Sequence, residues 1–453
     1  MKIISFRINK LHGYLDYELK FQDNTLILIG ENGSCKTTII KILFYTLSMQ
    51  WGKLSKFNFD NIIITIENDV LKITKKEIVS ICAIDDHFFR RMPLHIKREI
   101  MSSKGSNGIF DIERIESICK RYNIPMEYIL DEVELSVDLF PESKQSKISA
   151  NIKAVASKLK EHLENIHIMY LPTYRRIEQE LKVVLDGSID ESEYRNRRMH
   201  SRVHNSNFTE LVEFGMDDVI QSRDRSLNEL KDYFRKSLNQ LTLGYLGDVV
   251  DEKYNDVNLT LLNDIDEETV TNIMQRVDEN ILSEERKRKL IKSIEKIKNE
   301  GVISVHDKVV CHYFNKLLIS HRELESKEIN IRKFAEICSK YLRNKTISYD
   351  SANFTFSIVS NIADQSIEFN QLSSGEKQIV SLFSHLYLDG ERKYFVLIDE
   401  PELSLSVKWQ KQFLADINKG EYCSGIVAVT HSPFIFENEL DSYAHGIEEF
   451  VKK

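Results

Sequence analysis

The sequence predicts an α/β fold, in which a mixed β-sheet with flanking helices is interrupted by a large helical insertion. Three features support this prediction. Apolar strand-like segments occupy both ends of the chain, a glycine-rich turn at residues 30–37 joins one such strand to an apolar helix, and residues 181–345 show a charged, helical pattern. A strand that leads through a glycine-rich turn into a helix is a common unit of layered α/β proteins.

The first lobe is predicted to span residues 1–180. Its predicted strands lie at 3–8, 17–21, 25–30, 61–68, 70–78 and 166–176, with a hairpin turn at Asn68–Asp69 and an interruption at Pro172. A buried helix is expected at 37–51, where apolar residues recur at helical spacing without a glycine or proline. Residues 85–165 are predicted to be mostly helical.

The insertion is predicted at residues 181–345, and its clearest helix lies at 283–300. Heptads are not sustained, which argues against a long coiled coil, and residues 186–198 are expected to be irregular. The second lobe, residues 346–453, returns to strand-like segments. These lie at 346–350, 354–359 and 366–372.

Composition excludes several classes of protein. The 453-residue chain has a net charge of −8, so it is not basic as a whole, although basic stretches occur at 194–202 and 285–293. Such stretches are more often solvated helix faces than nucleic-acid sites. The six cysteines lack C-x-x-C spacing, which argues against a zinc ribbon. No apolar run is long enough for a membrane helix or signal peptide, so a cytoplasmic protein without membrane contact is expected.

The turn GENGSCKT, residues 30–37, matches the phosphate-binding pattern G-x-x-x-x-G-K-[ST] except at Cys35, which replaces the last glycine. Backbone N–H groups of the turn and the start of the next helix are expected to surround phosphates, with positive charge from Lys36. The hydroxyl of Thr37 is an oxygen ligand of the kind that Mg²⁺ prefers. Taken alone, the segment is also compatible with an ordinary glycine-rich turn.

Two carboxylates follow a predicted buried strand at 395–398, namely Asp399 and Glu400. Ligands of open α/β sheets bind at the carboxyl ends of strands, so Asp399 is expected to hold Mg²⁺ and Glu400 to polarise an attacking water. The alternative is that both acids cap a helix that starts at Pro401.

Two further segments carry candidate residues. The turn QLSSGEKQ, residues 371–378, precedes a buried helix predicted at 379–388 and offers backbone N–H groups and hydroxyls to an anion, unless it serves only as a helix cap. His431 ends the strand predicted at 426–430 and is a candidate sensor of the γ-phosphate, although a single histidine is more often structural.

The order of these motifs resembles the ATP-binding-cassette (ABC) ATPases of the SMC, Rad50 and RecF type. It is most similar to the OLD-like and Septu-type (PtuA-like) ATPases of bacterial anti-phage systems, including those that accompany retrons. The segment YLPTYRRIE, residues 170–178, is similar to one in the Septu-type group. The resemblance covers about residues 1–80 and 345–437. It implies the fold of a P-loop ABC-ATPase head, with ATP and Mg²⁺ as cofactors.

The resemblance also implies a role for each matching residue. Phosphate contacts would come from Gly30, Glu31, Asn32, Gly33, Ser34, Cys35, Lys36, Thr37 and Thr38. Thr37 and Asp399 would bind Mg²⁺, and Lys36, Glu400 and His431 would act in catalysis. The signature residues Ser373, Ser374, Gly375 and Glu376 would contact the γ-phosphate held by a second protomer, which implies a head-to-tail homodimer or a higher oligomer.

Four further features complete the comparison with this family. The D-loop would be Leu403–Ser406, and Arg175 and Arg176 would face the nucleotide or a partner. No glutamine of the Q-loop type is identified. Cys35 departs from the family pattern, and a β-carbon in left-handed backbone costs about 1–2 kcal/mol. That cost is small beside the charge-assisted contacts of Lys36, so ATP binding with slow hydrolysis is expected.

For the whole protein, the resemblance implies an ATPase subunit that regulates a separate HNH-type nuclease in anti-phage defence. In retron systems its partners would include a reverse transcriptase and msDNA. Few residues follow His431, so no Toprim nuclease domain of the OLD kind is expected. Two alternatives remain open: a DNA-repair ATPase like RecF or Rad50, and a scaffold that binds ATP with negligible turnover.

Overall fold

The computed structural model describes residues 1–81, 99, 112–122, 150–173, 208–210, 216–256, 265–277, 282–300, 304–363, 365–390 and 392–452. The chain divides into two compact units. The first comprises Met1–Glu213 and Arg392–Lys453, and the second comprises Phe214–Glu391. None of the helices in these described ranges combines the length and apolar character that crossing a bilayer requires.

The first unit contains two β-sheets. The parallel sheet has the order β13-β3-β12-β11-β6-β7, with strands Ala444–Gly446, Thr25–Ile29, Cys423–Thr430, Lys393–Asp399, Ile166–Leu171 and Phe208–Glu210. The antiparallel sheet has the order β14-β2-β1-β4-β5, with strands Val451–Lys452, Leu15–Lys20, Ile3–Leu11, Asn61–Ile66 and Asp69–Thr74. The predicted α/β fold is confirmed, with parallel and antiparallel strands in separate sheets.

The helices, in chain order, are α1 Lys36–Leu47, α2 Trp51–Leu54, α3 Lys75–Ile81, α4 Ile112–Arg121, α5 Ala150–His162, α6 Met216–Val250, α7 Glu267–Arg276, α8 Glu284–Glu300, α9 Val305–Lys340, α10 Ser374–Leu388 and α11 Val407–Asn418. In the first unit, α1 and α5 contribute to an apolar core with both sheets. The central strands β3, β11 and β12 are almost wholly buried, which explains their nearly continuous apolar sequences.

Strand order in the parallel sheet places the predicted motifs at one edge. Strand β12 lies between β3 and β11, and β6 lies on the other side of β11. Because these strands run in the same direction, the residues that follow each of them meet at the carboxyl edge. The phosphate-loop segment, the acid pair and His431 therefore converge from distant parts of the sequence.

The second unit is mainly helical. Helices α6, α7, α8 and α9 share an apolar core, and a small antiparallel sheet has the order β10-β9-β8, with strands Ser366–Ile367, Thr355–Ser360 and Lys345–Asp350. A buried ion pair joins Arg276 to Glu328 at 3.0 Å, and Tyr349 donates a hydrogen bond to the same carboxylate at 3.0 Å. The helix predicted at 283–300 is confirmed as α8.

Several predicted element bounds in the first unit are wrong. The helix predicted at 37–51 ends at Leu47, because Met49 takes left-handed backbone with φ 57° and stops the helix. The strand predicted at 70–78 ends at Thr74, where reciprocal hydrogen bonds between Thr74 and Glu77 form a capping box that starts α3. The interruption predicted at Pro172 is confirmed, since β6 ends at Leu171, directly before it.

Smaller corrections concern turns and capped segments. The hairpin loop is Glu67–Asn68, one residue earlier than predicted, since Ile66 pairs with Asp69. The strand predicted at 366–372 is limited to Ser366–Ile367, and a 3₁₀-helix follows at Phe369–Gln371. The helix predicted at 379–388 already begins at Ser374. The predicted irregular segment 186–198 and the basic stretch 194–202 lie outside the described residues.

Candidate functional site

A cavity of about 310 Å³ opens at the carboxyl edge of the parallel sheet in the first unit. Its lining residues are His12, Asn32, Gly33, Ser34, Cys35, Lys36, Thr37, Thr38, Glu400, Val429 and His431. Most of the loop residues predicted to bind phosphate therefore line one cavity with Glu400 and His431. Strand order explains this meeting, because β3, β12 and β11 each end at this edge.

Lys36 is held inside the phosphate-loop segment by its own neighbours. Its ammonium donates hydrogen bonds to the carbonyl oxygens of Gly30 at 2.8 Å and Glu31 at 2.7 Å, and to the hydroxyl of Ser34 at 3.1 Å. The side chain is only 5% exposed. Burial lowers the pKa of Lys36, while the carboxylates of Asp399 and Glu400 act in the opposite direction. An anion entering the cavity would meet a buried cation already surrounded by polar groups.

Backbone conformation explains the glycine at position 33 of the loop, and close packing explains the glycine at position 30. Gly33 has φ 86°, a conformation that residues with a β-carbon rarely adopt. A β-carbon at Gly30 would lie 2.8 Å from Cγ2 of Ile447 and 2.9 Å from the hydroxyl of Ser34. The C-terminal 3₁₀-helix Ile447–Phe450 thus packs closely against the start of the loop and excludes a side chain there.

Cys35 adopts the left-handed conformation expected of the glycine that it replaces, with φ 66° and ψ 10°. It is half-buried and packs against the apolar core of the first unit. The pKa of Tyr17 is raised to about 12 by burial, with a smaller contribution from hydrogen bonding and charge interaction with Cys35. The side chain at this strained position thus lines the cavity and also contacts the apolar core.

Asp399 is fully buried, and both of its carboxylate oxygens accept hydrogen bonds. The hydroxyl of Thr37 donates to Oδ1 at 3.2 Å, and the hydroxyl of Thr173 donates to Oδ2. A carboxylate beside a threonine hydroxyl at the end of a phosphate loop is an all-oxygen donor set, as Mg²⁺ requires. The residues present thus fit the ion that the sequence implied.

Glu400 also has left-handed backbone, with φ 52°, and its N–H donates to the carbonyl of Val429 at 2.8 Å. Burial and the nearby carboxylates of Asp399 and Glu402 raise the pKa of Glu400, and His431 and Lys36 oppose that shift. The next helix, α11, starts only at Val407 after Ser406. The alternative that the acid pair caps a helix at Pro401 is therefore wrong.

Glu402 connects the acidic turn to the strand end that carries His431. One carboxylate oxygen accepts from the hydroxyl of Thr430 and the other from the backbone N–H of His431, both at 2.8 Å. Glu402 stands directly before the predicted D-loop, in which Ser404 has φ 66°. Sequence reasoning missed this residue, although the third acid in the segment DEPE was a visible signal.

The serine–glycine turn belongs to the second unit and begins α10. Ser373 and Glu376 form a capping box, in which the N–H of Ser373 donates to Glu376 at 2.8 Å. The ammonium of Lys345 also contacts the Glu376 carboxylate, at 2.8 and 2.9 Å. Glu376 is 2% exposed and Gly375 is buried, whereas Ser373 and Ser374 are exposed. Of the four signature residues, Ser373 and Ser374 are therefore the exposed ones.

Sequence reasoning missed several other residues of the site. His12, in the loop between β1 and β2, lines the cavity, and Val429 does so from β12. Lys345 lay in no segment singled out in the sequence, and Thr173 lay in the segment YLPTYRRIE without a role assigned to it. Arg175 and Arg176, predicted to face the nucleotide or a partner, lie outside the described residues.

Residues 169–437 match the family model described as AAA domain, putative AbiEii toxin, Type IV TA system. The match covers more than half of the chain. This chain belongs to that AAA-domain family. The matched range contains Asp399, Glu400, His431 and the serine–glycine turn of this AAA-domain protein, while its phosphate-loop segment lies before the range. No curated protein matches the chain.

Solved structures similar to this AAA-domain protein include two SMC heads. One is the Smc head domain with an extended coiled coil bound to the C-terminal domain of ScpA, from Pyrococcus furiosus, with 12% identity and a TM-score of 0.34. The other is the SmcHead bound to the C-winged helix domain of ScpA, with 11% identity and a TM-score of 0.34. Each alignment covers 96% of this chain and 91% of the other.

Proposed function

We propose that this protein binds ATP with Mg²⁺ at the cavity of the first unit and hydrolyses it slowly. The observation that carries the proposal is the meeting of four groups at one sheet edge. Lys36 and Thr37 begin α1, while Asp399 and Glu400 follow β11, and Thr37 and Asp399 share a hydrogen bond of 3.2 Å. A cation, a hydroxyl and two carboxylates in this arrangement are the groups that phosphoryl transfer requires.

Each group has a chemical task in this proposal. Lys36 exchanges loop carbonyls for phosphate oxygens, and the N–H groups of the loop and of the start of α1 bind the remaining phosphate charge. Thr37 and Asp399 hold Mg²⁺, which when bound neutralises charge on the phosphates. Glu400 accepts a hydrogen bond from the attacking water and orients it. His431, whose backbone is fixed by Glu402, contacts the γ-phosphate.

The proposed active form is a head-to-tail dimer in which each site is completed by the serine–glycine turn of the second copy. Support comes from the exposure of Ser373 and Ser374 at the start of α10, because serine hydroxyls at a helix N-terminus suit an anion. In each site, the proposed lobe 1–180 would supply the phosphate loop, and the proposed lobe 346–453 would supply the acid pair and His431 from the same copy and the serine–glycine turn from the second copy.

Mixed dimers test this arrangement. Lys36→Ala removes the loop cation and Ser374→Arg fills the exposed turn, so each variant alone is expected to lose nearly all turnover. An equimolar mixture should recover activity, because half of the sites in mixed dimers combine an intact loop with an intact turn. ATPase rates measured across mixing ratios check this. A mixture no more active than the separate variants would contradict the two-chain site.

For the biological role, we propose an ATPase subunit of anti-phage defence that regulates a separate HNH-type nuclease, with reverse transcriptase and msDNA as partners in a retron context. Support comes from the resemblance of the motifs, and the AAA-domain family description also names a toxin–antitoxin system. Genes flanking this one test the partner: an adjacent HNH nuclease supports this role, whereas a recombination-gene neighbourhood favours the DNA-repair alternative.

The strained backbone of Cys35 is the observation that favours an ATP-binding scaffold with negligible turnover. Cys35→Gly is expected to raise ATP turnover by up to about fivefold, since relief of about 1 kcal/mol of strain lets the loop approach the phosphates. ATP affinity should change little, and measured turnover and affinity check both statements. Cys35→Ala is the matched control, because it keeps the β-carbon and removes only the thiol. Equal rates for all three proteins would contradict a catalytic cost at this position.

A further inference from the structure

Thr173 follows strand β6 and contacts Asp399, the first residue of the acid pair. Strand β6 pairs in parallel with β11, with Leu171 opposite Ile398. Thr173, two residues after Leu171, therefore lies near Asp399, the last residue of β11. The strand ends at Leu171, directly before Pro172. The Thr173 hydroxyl donates to Oδ2 of Asp399, whereas the Thr37 hydroxyl donates to Oδ1.

Metal binding would affect the hydrogen bonds of Thr37 and Thr173 to Asp399 differently. Thr37 begins the helix after the phosphate loop, so its hydroxyl oxygen is placed to become a Mg²⁺ ligand, and its present hydrogen bond to Oδ1 of Asp399 would change. Thr173 lies on the opposite side of the carboxylate, so its hydrogen bond to Oδ2 can persist. Asp399 is fully buried, and a buried carboxylate needs such partners to keep both charge and orientation.

We propose that Thr173 is a positioning residue for Mg²⁺, which it serves by fixing the Asp399 carboxylate from the side opposite the phosphate loop. This inference rests on the proposed ATP site. Loss of a hydrogen bond that orients a metal-binding group typically weakens metal affinity by about 10–100-fold. A merely structural role would instead appear as lost folding stability, because the same hydrogen bond links the residue after β6 to the last residue of β11.

The test uses the full chain with three substitutions. Thr173→Val is nearly isosteric but lacks the hydroxyl, Thr173→Ala lacks it without a branched side chain, and Thr173→Ser keeps it. For each protein, Mn²⁺ electron paramagnetic resonance follows the metal concentration needed to form the complex with protein and ATP. ATP binding in EDTA and the unfolding temperature are measured in parallel.

For Thr173→Val and Thr173→Ala, the half-saturating Mn²⁺ concentration is expected to rise by about 10–100-fold, with ATP affinity in EDTA within about threefold of wild type. Thr173→Ser should behave like the wild type. Unchanged metal dependence in the valine and alanine variants would overturn the inference, as would a serine variant as impaired as they are. Absence of ATP binding by the wild type would instead refute the proposed function itself.

Discussion

Replacing Glu400 with glutamine is expected to lower ATP turnover by about 10²–10⁴-fold while ATP binding is retained. Glutamine has nearly the same shape, so the hydrogen bond from the backbone N–H to Val429 should remain. What is lost is the carboxylate that accepts a hydrogen bond from the attacking water. The change also removes a negative charge beside Asp399, which favours binding of the nucleotide phosphates.

Two measurements check this result, the steady-state rate of phosphate release and the affinity for ATP by equilibrium titration. Because ATP is bound but not consumed, Glu400→Gln should also accumulate as the ATP-bound dimer, visible by light scattering. Glu437→Gln is the matched control, since this exposed carboxylate lies outside the cavity lining and should leave the rate unchanged. A Glu400→Gln protein that keeps more than about a tenth of wild-type turnover would assign the water-activating role elsewhere.

The sequence allowed the sheet edge to be predicted because three of its strands carry their chemistry directly at their ends. Gly30, Asp399 and His431 each follow an apolar run, and parallel strands bring such residues together. The left-handed backbone at Cys35 could be anticipated from the pattern position alone. These successes rest on local motifs combined with one rule of topology.

What escaped prediction depends on side chains that meet across the sheet. Thr173 lies in the segment at residues 170–178, but nothing in the sequence indicates a role for its hydroxyl, and only the pairing of β6 with β11 places that hydroxyl on Asp399. Likewise, Lys345 meets Glu376 because β8 and α10 belong to one packed unit. Helix capping explains two of the errors in element bounds. Thr74 caps α3 together with Glu77, and Ser373 caps α10 together with Glu376.

The second large effect is expected for Lys36→Ala, which should weaken ATP binding by roughly 10–150-fold, equivalent to about 1.5–3 kcal/mol for hydrogen bonds to a charged group. The present partners of Lys36 limit this loss. Its ammonium must give up two carbonyl oxygens and the hydroxyl of Ser34 before it reaches phosphate, so only the difference counts toward affinity. Lys41→Ala, on the same helix but outside the cavity lining, is the control.

Turnover should fall further than affinity, because charge on the phosphoryl group spreads in the transition state and a buried cation interacts strongly with it. Lys36→Arg should not rescue either property. The lysine fits among three acceptors within 3.1 Å in a nearly closed loop, and a planar guanidinium needs a wider opening. If Lys36→Ala bound ATP as tightly as the wild type, the nucleotide phosphates would lie away from this loop, and the acid pair at β11 would need another partner.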